Sequence, residues 1–221
     1  RAAVNRSIRE NFFRRDYIEL ETPMLQMIHG GAAARPFTTH MNALDTELYL
    51  RIATEIYLKR AVGGGVDRVF EINRIFRHEG MDSSHSPEFT ALEAYEAYSD
   101  YNGMADLTRD LIQQAARDAF DLSEGEEIVR LADGTEYDLS GEWDRIDLYG
   151  STSEALGEEI TVETPRETLV KYAERIGLEV DDYAVSGKIV EDIFEELVGS
   201  KLWAPPFVYD FPEDTSPLTR Y

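Results

Sequence analysis

The stretch that decides the fold of this chain lies in its first half: residues 69–76 have the sequence VFEINRIF, and residues 89–98 have the sequence FTALEAYEAY. Both segments are rich in β-branched and aromatic residues, which favour β-strands. The polar residues 78–88 lie between them. Two such strands joined by one loop predict a long antiparallel hairpin, and the other elements are placed around it.

Further elements are predicted on both sides of this hairpin. Val4, Ile8 and Phe12 recur at helical spacing, which predicts an amphipathic helix over residues 1–14. Thr54 is a suitable N-cap for a second helix. The remaining predictions for the first half are strands near residues 18–20 and 48–52, a glycine stop of the second helix at residues 63–65, and a helix near residues 102–120.

The second half begins with a hairpin and continues with helices. Asp133-Gly134 lies between residues 128–131, IVRL, and residues 137–139, YDL, a pattern typical of a tight hairpin. Residues 164–167, Thr-Pro-Arg-Glu, predict a helix that starts with a capping box. The sequence also predicts a helix that carries Ile189, Ile193 and Leu197, and a returning strand over residues 206–211. This order favours an α+β fold with a mainly antiparallel sheet flanked by helices.

The charge of the chain is strongly acidic and unevenly distributed. Its 221 residues include 22 basic and 44 acidic side chains, for a net charge of −22. Residues 1–120 have a net charge of −4, whereas residues 121–221 have a net charge of −18. In the first half 13 of the 14 basic residues are arginines, whose planar guanidinium suits phosphates and carboxylates. We therefore expect a nucleotide site in the first half, although surface arginines alone would also explain the count.

The composition also excludes several classes of protein. The chain contains no cysteine, so disulfide scaffolds, thiolate metal sites and cysteine nucleophiles are excluded. Its apolar runs are too short to span a membrane. We expect a cytoplasmic protein without a membrane partner.

Arg77 and Phe89 flank the hairpin loop and are predicted to face the same cavity. A strand-held arginine can neutralise charge on a phosphate, and an aromatic ring can stack on a base. Glu79 and His85 add polar groups in the loop between them. An arginine next to a glutamate at a strand end is more often a solvated ion pair. From these residues alone, both interpretations stay open.

A longer pattern around these residues resembles a known family. Residues 70–80, FEINRIFRHEG, with residues 85–90, HSPEFT, resemble motif 2 of the class II aminoacyl-tRNA synthetases. Residues 14–25, with Pro23, resemble motif 1, which forms the dimer interface in that class. Residues 30–37, 42–45, 49–55 and 58–60 resemble the lysine-specific branch. The resemblance implies the class II catalytic fold and ligation of lysine to tRNA through a lysyl-adenylate.

The resemblance assigns four residues to ATP. Arg77 corresponds to the arginine that binds the α-phosphate and the substrate carboxylate, and is the expected catalytic residue. Glu79 corresponds to a contact near the adenine amino group, and His85 to a contact with the distal phosphates. Phe89 corresponds to the ring that stacks on adenine.

Four other residues are assigned to lysine by the same resemblance. Gly31 and Glu55 correspond to positions that hold its backbone groups, with Glu55 on the α-ammonium. Glu93 and Tyr95 correspond to contacts with the ε-ammonium. Structural interpretations remain open for three of them, because Glu55 could favour the helix dipole, Tyr95 could pack across strands, and Gly31 could form a turn.

The resemblance further implies a domain organisation and a set of partners. Residues 1–140 correspond to the catalytic core with motifs 1 and 2, residues 141–203 to a small acidic helical insertion, and residues 204–221 to a return into a truncated core. Motif 3 and the anticodon-binding domain have no counterpart in the sequence, so a partial catalytic domain is expected. The implied partners are lysine, ATP, tRNA(Lys), a second copy through motif 1, and Mg²⁺ bound by residues outside this chain, which itself has no assigned metal ligand.

Two other functions are compatible with the same residues. The first is a lysylating synthetase paralogue that acts on elongation factor P, because such paralogues also lack the anticodon-binding domain. The second is a non-catalytic module for dimerisation and nucleotide binding. The choice of acceptor, tRNA or elongation factor, would distinguish the first alternative from a tRNA ligase.

Overall fold

The computed structural model describes residues 1–80 and 86–216 of the chain, which has an α+β fold. The chain divides into two compact units, Arg1–Ala115 and Ala116–Tyr221. Within the described ranges, no helix combines the length and the apolarity needed to cross a membrane.

The first unit contains the predicted hairpin together with helices and short strands. Its elements are α1 (Ala2–Arg14), β1 (Ile18–Glu19), β2 (Leu25–Gln26), β3 (Thr38–Met41), β4 (Thr46–Leu50), α2 (Glu55–Gly63), β5 (Arg68–Phe76), β6 (Glu88–Glu96) and the first part of α3 (Tyr101–Phe120). The predicted helices and the hairpin of β5 and β6 are confirmed.

The sheets of this unit are small and mixed. Strands β5 and β6 pair antiparallel over nine residues each, from Arg68 opposite Glu96 to Phe76 opposite Glu88. Strand β1 adds to β5 in parallel, and β4 lies between β2 and β3 in a second, antiparallel sheet. This short parallel pair, Ile18 with Val69 and Glu19 with Phe70, is an exception within the predicted, mainly antiparallel pairing. Asp16, with a φ of 61°, lies in the turn between α1 and β1.

One face of the hairpin packs against helices. Phe12 of α1 stacks on Phe70 of β5 with ring centroids 4.4 Å apart. Leu107 and Leu111 of α3 complete this core together with Tyr17. Phe70, Ile72 and Ala94 contribute to the core, and side chains alternate along a strand, so the residues of the opposite parity lie on the other face.

A buried ion pair joins that other face to two segments that precede it in the chain. Arg51 and Glu71 are fully buried and are joined by a bond of 2.7 Å. Arg51 Nε also donates to the carbonyl of Arg74, and Arg51 Nη1 donates to the carbonyl of Thr22. Glu71 in turn accepts from the Thr22 hydroxyl at 2.6 Å. This network joins the residue after β4 to β5 and to the residues that follow β1.

The second unit consists of two small strand pairs and three helices. Its elements are the end of α3, β7 (Ile128–Arg130), β8 (Glu136–Asp138), β9 (Arg145–Asp147), α4 (Leu148–Leu156), α5 (Arg166–Arg175), α6 (Ser186–Leu197), β10 (Phe207–Tyr209) and short 3₁₀ turns at Gly199–Lys201 and Glu213–Thr215. The predicted hairpin of β7 and β8 is confirmed, with Gly134 at a φ of 89° in its turn.

The three helices of the second unit share one apolar core. Its fully or nearly fully buried residues are Leu148, Ile160, Leu169, Ala173, Ile189, Val190, Ile193 and Phe194. The capping box predicted for α5 is not formed, because Pro165 occupies the N-cap position and the Thr164 hydroxyl accepts from the Thr161 N–H instead. The predicted returning strand is β10, which pairs in parallel with β9.

Candidate active site

The hairpin face opposite the helical core carries four of the predicted site residues. Glu93 is paired with Glu71 and Phe89 with Ile75 in the β5–β6 register. Because side chains alternate, Phe89, Glu93 and Tyr95 of β6 lie on one face. Arg77, two residues after Ile75, lies next to Phe89 on this face.

Arg77 is fixed by a carbonyl and by an aromatic ring. Its Nε donates to the carbonyl of Ile52 at 3.3 Å, and the centre of its guanidinium lies 5.3 Å from the centroid of the Phe89 ring. Its backbone N–H donates to the carbonyl of Pro87 at 2.9 Å. A guanidinium has five N–H donors, and the bond to Ile52 uses one of them. The arrangement therefore presents a positive, multi-donor group next to an aromatic face, which suits a nucleotide phosphate and its base.

Glu93 connects the start of α2 to the hairpin. Its Oε1 accepts from the backbone N–H of Thr54 at 2.9 Å, and its Oε2 accepts from the Tyr95 hydroxyl at 3.0 Å. Thr54 occupies the predicted N-cap position, but its hydroxyl makes no capping bond. Glu93 of β6 thus accepts a hydrogen bond from the residue just before α2. This bond fixes Glu55, the first residue of α2, relative to β6.

The Tyr95 hydroxyl is a neutral hydrogen-bond donor in this site. Burial raises the pKa of Tyr95 well above its ordinary value, and the negative charges of Glu93 and Glu55 raise this pKa further. The phenol therefore stays protonated at neutral pH and donates to Glu93.

Gly31 lies directly against Glu55. Gly31 has a φ of 89°, and a Cβ at this position would lie 2.9 Å from Glu55 Cβ and 3.1 Å from Ala53 Cβ. Both the backbone conformation and the close approach require glycine here. Lys59 contacts both Glu55 and the Tyr95 ring, and Tyr95 donates to Glu93. Glu55, Glu93 and Tyr95 thus form a cluster of two carboxylates and one phenol, a chemistry that suits an ammonium group.

Two further residues are predicted to contact ATP, Glu79 and His85. Glu79 lies exposed in the loop after β5, and within residues 1–80 and 86–216 no hydrogen bond or ion pair joins it to another predicted site residue. His85 lies outside the described residues. The neighbouring His78, to which the sequence assigned nothing, stacks on Phe37 with centroids 4.8 Å apart and donates its backbone N–H to the carbonyl of Arg35.

Sequence reasoning missed two groups that contact the predicted residues. The carbonyl of Ile52 holds Arg77, and no sequence pattern identifies such a backbone acceptor. Lys59 donates to Glu55 Oε1 at 2.6 Å. The four-residue spacing of Glu55 and Lys59 on a helix could have indicated this pair. In the described part of the chain, no group of three or more His, Asp or Glu side chains is arranged to hold a metal ion.

Comparison with known proteins places the chain in a family. The family described as tRNA synthetases class II (D, K and N) matches the chain over residues 1–221. The chain therefore belongs to the class II tRNA synthetases of this group.

Individual relatives are similar to the chain over its whole length. A lysine–tRNA ligase from Kineococcus radiotolerans is 56% identical over 221 residues, which are 100% of this chain and 43% of the relative. A lysine–tRNA ligase from Mycolicibacterium gilvum is 58% identical over 222 residues, 100% of this chain and 44% of the relative. The chain thus spans less than half the length of these ligases.

A third relative has a longer chain and a different name. The lysylphosphatidylglycerol biosynthesis bifunctional protein LysX from Mycolicibacterium vanbaalenii is 48% identical over 224 residues, which cover 100% of this chain and 20% of that protein. The chain is therefore similar both to lysine–tRNA ligases and to a longer protein with a different name.

Proposed function

We propose that this chain is part of the catalytic domain of a lysine–tRNA ligase, which activates lysine with ATP and transfers the lysyl group to tRNA(Lys). The observation that carries the proposal is the hairpin face on which Arg77 and Phe89 lie beside the cluster of Glu55, Glu93 and Tyr95. One end of this face suits a nucleotide and the other suits an amine. The similarity to lysine–tRNA ligases supports the choice of substrate.

The first step joins lysine to the α-phosphate of ATP. A carboxylate oxygen of lysine attacks the α-phosphorus, the bond to the bridging oxygen breaks, and pyrophosphate leaves. Negative charge increases on the α-phosphate oxygens, and Arg77 stabilises it. Phe89 stacks on adenine, Glu79 lies near the adenine amino group, and His85 contacts the distal phosphates. The reaction needs no covalent intermediate with the protein, because orientation and charge stabilisation are sufficient.

The second step transfers the lysyl group. A terminal hydroxyl of tRNA(Lys) attacks the lysyl carbonyl carbon, the mixed anhydride bond breaks, and AMP leaves. Through both steps Gly31 and Glu55 hold the backbone groups of lysine, with Glu55 on the α-ammonium, while Glu93 and Tyr95 hold the ε-ammonium. Two carboxylates match the two positive charges of lysine, which an apolar pocket could not compensate. Mg²⁺ accompanies ATP in this proposal and is bound by residues outside this chain.

Dimerisation through residues 14–25 is part of the same proposal. Ile18, Met24 and Leu25 are exposed apolar side chains in this segment. Exposed apolar groups close together are typical of an interaction surface. In this proposal residues 1–140 form the core and residues 204–221 return to it. Residues 141–203 form an acidic helical insertion that lies away from the tRNA phosphates.

The test is amino-acid-dependent exchange of pyrophosphate into ATP by the full-length protein. We expect exchange with lysine and at least about a hundredfold less with aspartate or asparagine. The two partly buried carboxylates attract the ε-ammonium of lysine, repel the acidic side chain of aspartate and find no cation on asparagine. Lysylation of tRNA(Lys) and of elongation factor P is then compared side by side. Exchange that does not depend on lysine contradicts the proposal, and lysylation of the factor alone supports the paralogue instead.

A further inference from the structure

Lys59 lies within the cluster that the proposed function assigns to lysine. Its Nζ donates a bond of 2.6 Å to Glu55 Oε1 and lies 5.7 Å from the centroid of the Tyr95 ring. The Lys59 side chain is 54% exposed and that of Glu55 is 20% exposed. Solvent therefore reaches the Lys59 side chain, whereas the Glu55 side chain is partly enclosed. No role for Lys59 follows from the family resemblance stated above.

The bond to Lys59 occupies one of the two carboxylate oxygens of Glu55. The other oxygen, Oε2, lies 3.5 Å from the point that a Cβ at Gly31 would occupy. Within the described residues no hydrogen bond involves Oε2, so this oxygen can accept a bond from a ligand. A glutamate side chain has several rotamers of similar energy, so a cation held on Oε1 determines which oxygen faces Gly31.

Helix stabilisation alone does not account for the position of the Lys59 ammonium. Glu and Lys four residues apart on a helix shift an equilibrium by only about twofold. The Tyr95 ring belongs to β6, whereas Lys59 belongs to α2, so the ammonium is held between two separate elements. A cation placed over an aromatic face gains electrostatic stabilisation there. The location of the ammonium is thus set by the site as well as by the helix.

We propose that Lys59 is a positioning residue for the amino-acid site. It holds Oε1 of Glu55 so that Oε2 receives the α-ammonium of the bound amino acid beside Gly31. Lys59 itself does not touch the substrate. This inference rests on the proposed function, in which Glu55 binds that ammonium.

The experiment measures lysine-dependent pyrophosphate exchange by the full-length protein with Lys59→Met and Lys59→Arg. We expect Lys59→Met to raise the KM for lysine about tenfold, the effect of losing one charge-assisted hydrogen bond that orients a binding group. The kcat stays within about twofold and the KM for ATP is unchanged, because the reacting groups are untouched. Lys59→Arg restores the KM for lysine to within about threefold, because it keeps a cation near Oε1.

A matched control is provided by Lys188 of α6. It pairs with Asp192 at 2.6 Å, also four residues apart, and its side chain is likewise 54% exposed. Lys188→Met is expected to leave the KM for lysine unchanged. Thermal unfolding of each variant checks that the fold is retained.

The outcomes separate this inference from the function on which it rests. A KM for lysine that is unchanged or lower in Lys59→Met overturns the positioning role, and a lower value would identify the Lys59 ammonium as a competitor of the substrate. Glu55→Gln is measured in parallel. If Glu55→Gln raises the KM for lysine and Lys59→Met does not, only the role of Lys59 fails. If neither variant raises it, the proposed role of Glu55 fails as well.

Discussion

Arg77 owes its position to contacts that are present without any substrate. The carbonyl of Ile52 and the ring of Phe89 hold the guanidinium from two sides. A group fixed in this way needs little reorganisation when charge develops on a phosphate. We therefore expect the function of Arg77 to depend on its own guanidinium and to depend little on the net charge of neighbouring residues.

Replacing Arg77 tests this dependence. Arg77→Ala is expected to lower lysine-dependent pyrophosphate exchange by at least about a hundredfold, since it removes a preorganised group from the transition state. Arg74→Ala is the control, because Arg74 lies exposed on β5, three residues before Arg77, and its side chain forms an ion pair with the exposed Glu88. Exchange by Arg77→Ala within a few-fold of that by Arg74→Ala would remove Arg77 from the proposed mechanism.

The Tyr95 hydroxyl allows a second test, in which one oxygen atom of the site is removed. Tyr95→Phe deletes the hydroxyl that donates to Glu93 Oε2 and leaves the ring under Lys59 in place. We expect the KM for lysine to rise about threefold to tenfold, as for the loss of one hydrogen bond. Tyr98→Phe is the control, because the Tyr98 side chain is 100% exposed. Equal KM values in the two variants would mean that the hydroxyl does not serve lysine binding.

The residues of the site differ in how far sequence alone could identify them. Alternation along a hairpin is sufficient to place Phe89, Glu93 and Tyr95 on one face once the strand is predicted. The bond from the Thr54 N–H to Glu93 could not be predicted, because it joins a helix start to a strand 39 residues away. The resemblance to class II synthetases was needed to relate Glu55 to that face.

At the scale of elements, the buried pair of Arg51 and Glu71 connects β5 to the segments before it. Both side chains are fully buried, and Arg51 Nη2 has no hydrogen-bond partner within residues 1–80 and 86–216. Composition gives no indication that one arginine among 13 in the first half is buried. Burial of a charged group depends on the tertiary structure that surrounds it, which local patterns do not encode.

Breaking this pair should destabilise the fold strongly. Arg51→Met leaves the Glu71 carboxylate buried without its cation, which typically costs about 3–5 kcal/mol of the free energy of unfolding. Arg130→Met is the control, because the ion pair of Arg130 with Glu136 is exposed and should contribute less than about 1 kcal/mol. Urea unfolding of the two variants gives both values, and a loss below about 1 kcal/mol for Arg51→Met would contradict the structural role of the pair.

A second buried carboxylate makes the stability of the second unit depend on pH. Burial raises the pKa of Glu127, but hydrogen bonds from the Arg117 side chain and the Gly125 N–H outweigh it, so the pKa lies below its ordinary value of 4.5. A carboxyl with a lowered pKa in the folded state stabilises the fold above its unfolded pKa, and this contribution is lost as the pH falls through the folded pKa.

The corresponding measurement compares wild type with Glu127→Gln. We expect the variant to unfold at a lower temperature than wild type at pH 7, because it lacks the free energy that the ion pair of Arg117 with Glu127 contributes. The difference should narrow as the pH decreases below about 4, because the wild-type carboxyl then becomes neutral. A difference that is constant over this range would mean that packing, and not charge, is responsible.

At the scale of the whole molecule, sequence predicted the α+β class and most helices, but not the mixed pairing of the strands. Helix α1 and the hairpin of β5 and β6 follow from local patterns. The parallel pairs of β1 with β5 and of β9 with β10 join segments that are distant in sequence, so no periodicity reveals them.

The uneven charge predicts a different salt response for the two units. Residues 121–221 carry 26 acidic and 8 basic side chains, so repulsion is concentrated there. Salt screens such repulsion, and the Debye length falls from about 10 Å at 0.1 M to about 3 Å at 1 M ionic strength. Amide hydrogen exchange should therefore slow more in Ala116–Tyr221 than in Arg1–Ala115 when sodium chloride is raised over this range. Equal slowing in the two units would contradict this prediction.

The pairing of β9 with β10 has a consequence for the synthesis of this chain on the ribosome. The two strands are separated by about 60 residues, and the helices α4, α5 and α6 lie between them. At about 5–20 residues per second, β9 leaves the ribosome roughly 3–12 s before its partner strand exists. During that interval the edge of β9 is unpaired and can pair with another chain. Chaperones should therefore have their largest effect on association between nascent chains at this stage.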